Sequence, residues 1–360
     1  MRTIVKVHTP AEQLSMRMMG ERRARQCLIR LVAVVSILRT LLTRVLPLAG
    51  SAGWWMAVVC LLPGLAVYAL LVLSMRLTGT AVLSDMLRAV FGMPGAWVLA
   101  AVISALLLFD GVASMTTLIT LFTEGVGTAG TQFTLAALTG AALLFCLHRE
   151  GLARGVFFLR WIMLAALAVM AFDWLDMAHL DGLFPLLGDG VPSLIAALRA
   201  GASLAWPLIL LLTAEPVHEG MRFRPLLPVL LLCLGVVLLT CLSLPHEILV
   251  THHDLAGSLL EMTLHLQPAT RTMAVCLLIL TLFLAIGGTA HLLTASLTAP
   301  MGRSVTWLPY VIVVLLVAAQ CLNIESLWRF LGLCGPWLLA PLAALAPLTV
   351  IAALIRRRRA

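Results

Sequence analysis

The stretch His148-Arg149-Glu150-Gly151-Leu152-Ala153-Arg154, the apolar run from there to Asp173, and Leu183-Phe184-Pro185-Leu186-Leu187-Gly188-Asp189-Gly190 decide the fold. A charged knot comes first, then a run long enough to cross a bilayer as a helix, then an acidic glycine turn. Such an order predicts one helix end in the cytosol and the other outside. The same alternation recurs along the whole chain.

Composition agrees. Of the 360 residues, 62% are hydrophobic and only 11% charged, and the mean hydropathy is +1.07. So little polar surface cannot cover a soluble globule of this size, so the chain reads as an integral membrane protein. Its formal charge of +8 does not point to nucleic acid, because the arginines lie in short connections and at the ends, where they orient helices. The eight cysteines fall in or beside apolar segments without metal-ligand spacing and read as small buried apolar residues. The first 25 residues are polar and basic with no apolar h-region, so the first apolar segment is expected to be a membrane span itself. Thr9-Pro10-Ala11-Glu12, a capping hydroxyl followed by proline and a glutamate, predicts a cytosolic helix start.

About ten segments meet or approach the ~20 apolar residues that a span needs: 27–47, 54–75, 95–121, 131–147, 155–175, 201–217, 225–245, 272–298, 305–323 and 330–355. The expected layout is a cytosolic segment 1–25, one transmembrane permease domain 26–356 and a basic tail 357–360. One side collects Arg22, Arg23, Arg25, Arg76, Arg88, Arg149, Arg154, Arg222, Arg224, Arg303 and Arg356 to Arg359; the other has Arg199, Arg271 and Arg329. Cationic connections stay in the cytosol, so both termini are predicted there and the span number is even. Residues 191–199 and 246–270 read as short helices on the outer surface. Ten spans permit two inverted halves of five, a plan that breaks spans one and six at matching positions. Span six carries Trp206-Pro207 near its middle; the interior of span one has neither glycine nor proline.

An ionisable group in hydrocarbon costs a few kcal/mol or more and needs a partner, a wet cavity or a route to the interface. Arg39 in span one and Asp110 in span three are expected at similar depth. They read either as a pair lining a ligand cavity, with Asp110 able to take up a proton, or as a salt bridge locking two helices. Arg30 and Arg44 lie near the ends of span one, within snorkelling reach of headgroups. Glu215 reads as an interface residue facing Arg222 or Arg224. Gly287-Gly288-Thr289-Ala290-His291 in span eight reads first as a close helix contact, with His291 as a proton-linked group the sharper alternative. His246, His252, His253 and Asp254 are a weak candidate metal cluster. Ser36, Thr40, Ser114 and Thr294 either line a polar cavity or bond back to their own helix carbonyls. No nucleophile elbow, phosphate loop or zinc motif is present, so an enzyme is not expected, nor a cofactor or resident metal.

Several of these stretches carry a resemblance. Arg25-Gln26, an apolar run ending in Leu46-Pro47-Leu48-Ala49-Gly50, and then Gly53-Trp54 resemble the opening of the spore germination permeases, the GerAB-type B subunits of nutrient germinant receptors. Glu150-Gly151-Leu152-Ala153-Arg154 is similar to their acidic-x-x-Ala-Arg signature before the fifth span. Leu183 to Gly190 is similar to the Pro-Leu-x-x-x-Gly loop after it. Two departures stand out: Ser36-Ile37-Leu38-Arg39-Thr40 replaces the glycine-rich unwinding usual in span one, and the glutamate often found within span six has no clear match.

That family belongs to the amino acid-polyamine-organocation transporter superfamily. The resemblance implies an all-α bundle with a LeuT-like 5+5 inverted repeat and a small-molecule site near the bilayer midplane between spans one, three, six and eight. It implies A- and C-type receptor subunits as partners, and the cell membrane or inner spore membrane as location. The expected ligand is a small nutrient, most simply an amino acid, met by Arg39 and Thr40, Asp110 and Trp206. A stand-alone proton- or sodium-coupled amino acid transporter is the alternative, with Asp110 or His291 as the coupling group; a scaffold subunit that binds nothing is a third.

Overall fold

A computed structural model describes residues 10–80, 82–125, 132–147, 151–176, 183–214, 226–244, 266–298, 307–320 and 346–355, with a few isolated positions between them. Those residues form helices and turns, with no strand among them. Helix α1 (Pro10–Thr40) runs on through a π-helical turn (Leu41–Val45) into α2 (Leu46–Ala49). Pro47 supplies the cause: it has no N–H for the Thr43 carbonyl, and its ring crowds that carbonyl. The turn widens in response, and the Leu46 N–H donates to the Leu41 carbonyl five residues back.

At Gly50 (φ 54°, ψ −128°) the chain leaves helical space through a conformation that glycine alone adopts cheaply. It turns through Gly50–Ala52 into α3 (Gly53–Thr78). Without this corner the 56 helical residues from Arg23 to Thr78 would extend about 84 Å, far beyond a ~30 Å hydrocarbon layer. The Leu183–Gly190 loop seats on the corner. Ser51 Oγ donates to the Pro185 carbonyl at 2.7 Å and Trp55 Nε1 to the Leu186 carbonyl at 2.9 Å. Gly188 (φ 52°) stands so close to the Ala49 carbonyl that a side chain there would collide.

The remaining elements are α4 (Leu83–Thr120), kinked at Gly92 and ending in a second π-helical turn (Leu121–Gly125), α5 (Gln132–Leu147), α6 (Gly151–Asp176), α7 (Val191–Gly201), a 3-10 turn (Ala202–Leu204) and α8 (Ala205–Ala214). They are followed by α9 (Leu226–Ser243), α10 (Pro268–Thr298), α11 (Leu308–Ala319) and α12 (Ala346–Ile355). Six helical stretches among the described residues are long and apolar enough to cross a membrane, as in a multi-pass membrane protein. Helix α10 packs along α4 and also against α1 and α6; α1 in turn meets α6, α8 and α9. The core between them is aliphatic, with Ile29, Val32 and Ile37 of α1, Leu107 and Met115 of α4, and Ile286 and Ala290 of α10 all buried. Helix α6 turns Phe158, Trp161, Ile162 and Phe172 outward, each more than 60% exposed, as a lipid-facing helix does.

One expectation is corrected. Residues 191–199 are not a separate surface helix: α7 runs through the 3-10 turn into α8 as one 22-residue apolar stretch, Val191–Leu212, and packs on α3. The interruption falls one turn before Pro207, which denies the Ser203 carbonyl its donor. Thr9, His148 to Glu150, Glu215 to Arg224, the His246–Asp254 cluster, Arg303, Arg356 to Arg359 and much of the tenth segment lie outside the described residues.

Gly287 and Gly288 are where α10 closes on its neighbours. A Cβ on Gly287 would meet Leu152 at 2.7 Å, and one on Gly288 would meet Val32 at 2.7 Å and Leu28 at 2.9 Å. Gly288→Val is therefore expected to destabilise the protein by about 1–3 kcal/mol through overpacking. At Gly155 nothing lies within 4 Å of the added atom, so Gly155→Ala should be neutral or stabilising by up to about 1 kcal/mol. Chemical unfolding in detergent–lipid micelles checks both; equal effects would refute the packing assignment.

Candidate functional site

Helix α1 carries two stripes. Leu31, Val35, Leu38 and Leu42 share one face, while Ser36 and Arg39 lie on the other, toward α4. The polar stripe meets α4 at Asp110. Arg39 Nη1 lies 2.6 Å from Asp110 Oδ1 and donates also to the Asp110 carbonyl at 3.0 Å, while Arg39 Nη2 donates to Ser114 Oγ. Ser36 Oγ stands 2.7 Å from Asp110 Oδ2 and 2.8 Å from the Val32 carbonyl, so one hydroxyl hydrogen faces two acceptors. Both carboxylate oxygens are thus engaged.

The pair is deeply placed, with side-chain exposures of 13% for Arg39 and 5% for Asp110. A charge there without its partner would carry an uncompensated desolvation cost. Arg39 keeps one group unspent: its Nε is buried and has no acceptor. The polar strip continues one turn along α4, where Thr116 Oγ1 donates to Gln320 Oε1 at 3.1 Å and Gln320 Nε2 donates to the Val112 carbonyl at 3.3 Å.

The other anticipated residues divide. Thr40 Oγ1 donates to the Ser36 carbonyl at 3.1 Å and Thr294 Oγ1 to the Ala290 carbonyl at 2.9 Å, so both bond back to their own helices. Thr40 nonetheless directly precedes the π-helical turn. Trp206 is buried in α8, which packs against α1, α3 and α4, and it makes no hydrogen bond to Arg39 or Asp110. His291 is half-buried on α10. The Thr289 methyl lies 3.3 Å from where a Cβ on Gly111 would stand, so His291 shares the depth of Asp110, yet it bonds to neither member of the pair. Arg44 sits half-buried in the π-helical turn. Cys60, Cys233 and Cys241 are buried free thiols, Cys27 is half-buried and Cys276 exposed.

The irregular segments converge beside the pair. The π-helical turn of α1 packs against α7, and α1 itself reaches the 3-10 turn between α7 and α8. The sequence offered Pro47 as a signal for the first interruption, but at the edge of the apolar run it reads as the end of a span. Arg160 was passed over altogether; a lone cation within the run from Val156 to Ala171 marks it. No protein-family model matches the chain, and no curated protein is significantly similar to it.

Removing either member alone, as Arg39→Met or Asp110→Leu, is expected to cost about 3 kcal/mol or more, because each leaves the other's charge buried and unpaired. The double replacement should recover most of that loss. Unfolding in detergent–lipid micelles reads all four proteins, and a double variant as unstable as the singles would show that the pair is not the coupled unit described.

Proposed function

We propose that this chain is a permease-like membrane subunit that binds a small amino acid-like nutrient beside Arg39 and Asp110 and passes the binding event to partner subunits. It is the role of the GerAB-type spore germination permeases that the sequence resembles. The proposal includes ten spans in a 5+5 inverted repeat, both termini in the cytosol, residence in the cell or inner spore membrane, and A- and C-type receptor subunits as partners. The arginine distribution along the sequence supports the orientation.

The observation that carries the reading is the meeting of two proline-interrupted helices next to a buried ion pair whose arginine holds a spare donor. Interrupted helices turn backbone N–H and C=O groups toward a ligand. A carboxylate entering there meets Arg39 Nε and competes with Asp110 for the guanidinium, while Asp110 and Ser36 remain to receive an ammonium group. Trp206 supplies an apolar wall, and Thr40 a backbone position at the mouth of the widened turn. Binding signals only if one conformation takes the ligand better than another. Loosening α1 from α4 is the change this exchange of partners produces.

Purified full-length protein in sealed liposomes, given a panel of labelled amino acids with and without proton or sodium gradients, tests this. Saturable binding without accumulation is expected, weakened by about tenfold or more in Arg39→Gln, the loss of one charge-assisted bond, and unchanged in Thr294→Val. Gradient-driven accumulation would replace the sensing reading with a stand-alone transporter, in which Asp110 or His291 couples the ion. Neither binding nor accumulation by folded protein would overturn both readings.

A further inference from the structure

A cavity of about 380 Å³ lies on the face of α1 opposite the Arg39–Asp110 pair, walled by α1, α6, α9 and α10. Its lining is almost wholly apolar. Thr281 contributes little polarity, since its hydroxyl is committed to the Leu277 carbonyl at 2.7 Å. The exceptions are two cations, Arg30 and Arg160. They belong to one end: Arg160 Nη1 donates to Cys27 Sγ at 3.5 Å, and Arg30 follows Cys27 by one helical turn.

The opposite end is formed by Leu42 and Trp174. Helix α9 links the levels, with Cys233 Sγ donating to the Val34 carbonyl at 3.9 Å and Ser243 Oγ to the Trp174 carbonyl at 3.3 Å. Along α1, Arg30 to Leu42 spans about 18 Å at 1.5 Å per residue. The cavity is therefore an elongated apolar slot with a basic mouth.

Arg160 is the telling residue. Its guanidinium carbon lies 4.0 Å from the centroid of Phe157 and 5.1 Å from that of Trp161. Its Nε is buried without an acceptor, and among the described residues no carboxylate pairs with it. Aromatic faces return about 0.5–2 kcal/mol, less than a charge in hydrocarbon costs. An anion at this mouth closes the deficit, and the arginine fork suits a phosphate.

We propose that the slot holds an acyl chain of an anionic phospholipid from the surrounding bilayer, with its phosphate between Arg30 and Arg160. Basic pockets between membrane helices take anionic headgroups in this way. The outward apolar face of α6, with Phe158, Trp161 and Ile162, gives a lipid lateral access. An amino acid-like ligand would leave most of the slot unfilled, so this site is distinct from the one beside Arg39 and does not depend on it.

The test uses the full chain in detergent, equilibrated with equal phosphatidylglycerol, phosphatidylcholine and palmitate, with retained molecules identified by native mass spectrometry. Phosphatidylglycerol is expected to dominate, and Arg30→Gln and Arg160→Gln should each lower its retention about fivefold, roughly 1 kcal/mol per arginine. Leu167→Trp, which leaves both cations and obstructs the slot, should also displace it while helical content is unchanged. Equal retention of the neutral lipid, or undiminished phosphatidylglycerol in Arg160→Gln and Leu167→Trp, would overturn the assignment. Palmitate retained in its place would overturn the phospholipid as the occupant.

Discussion

A charged group inside a membrane protein must be answered from within the protein, and the bond between Arg39 and Asp110 is that answer for α1 and α4. Neither residue reaches water easily, their side chains being 13% and 5% exposed. The pairing therefore fixes the rotation of α1 as well as its depth. Once Arg39 faces α4, the stripe of Leu31, Val35, Leu38 and Leu42 must face the other way, toward α6 and α9. A single electrostatic contact thus sets which side of α1 is polar site and which is apolar slot.

Prolines shape what lies around this contact. Pro47 and Pro207 each remove one backbone donor, and each disturbance appears in the turn before the proline, as a π-helical widening in α1 and a 3-10 tightening before α8. Helix packing sets the π-helical turn against α7, and α1 against the 3-10 turn. The corner at Gly50, sealed by the Leu183–Gly190 loop, keeps α1 and α3 from running on as one rod. Gly288 lets α10 press against Val32 and Leu28 of α1, and Gly287 lets it press against Leu152 of α6 and Leu143 of α5. Rigidity therefore comes from packing and the ion pair, while the places able to change lie in the two turns that have lost regular hydrogen bonds.

Much of this was legible in the sequence, for physical reasons. Apolar run length is a strong signal because the bilayer sets it, so α3, α6, α9 and α10 fall close to the segments expected. The meeting of Arg39 and Asp110 was also readable, since two opposite charges in hydrocarbon have few alternatives. Gly287-Gly288 behaved as a contact motif. Other features were hidden. Residues 191–199 look like a surface helix because their apolar stripe is short and bounded by Gly190 and Arg199; only the continuation through Ala202–Leu204 makes them part of a longer stretch. Pro47 at the edge of a run looks like a terminator, though it acts one turn upstream. Arg160 is a single cation in a long apolar run, and nothing in the linear order shows that it shares a mouth with Arg30.

The central claim is that the Arg39–Asp110 bond holds the interrupted segment of α1 in place. Hydrogen exchange of the full chain in lipid nanodiscs, comparing the unaltered protein with Asp110→Asn, tests it most directly. The account predicts that amides around Leu41–Leu46 exchange faster in Asp110→Asn, together with those around Ala202–Ala205, while Leu208–Leu212 stay protected. Unchanged exchange in α1, with effects confined to α4 around residue 110, would contradict it.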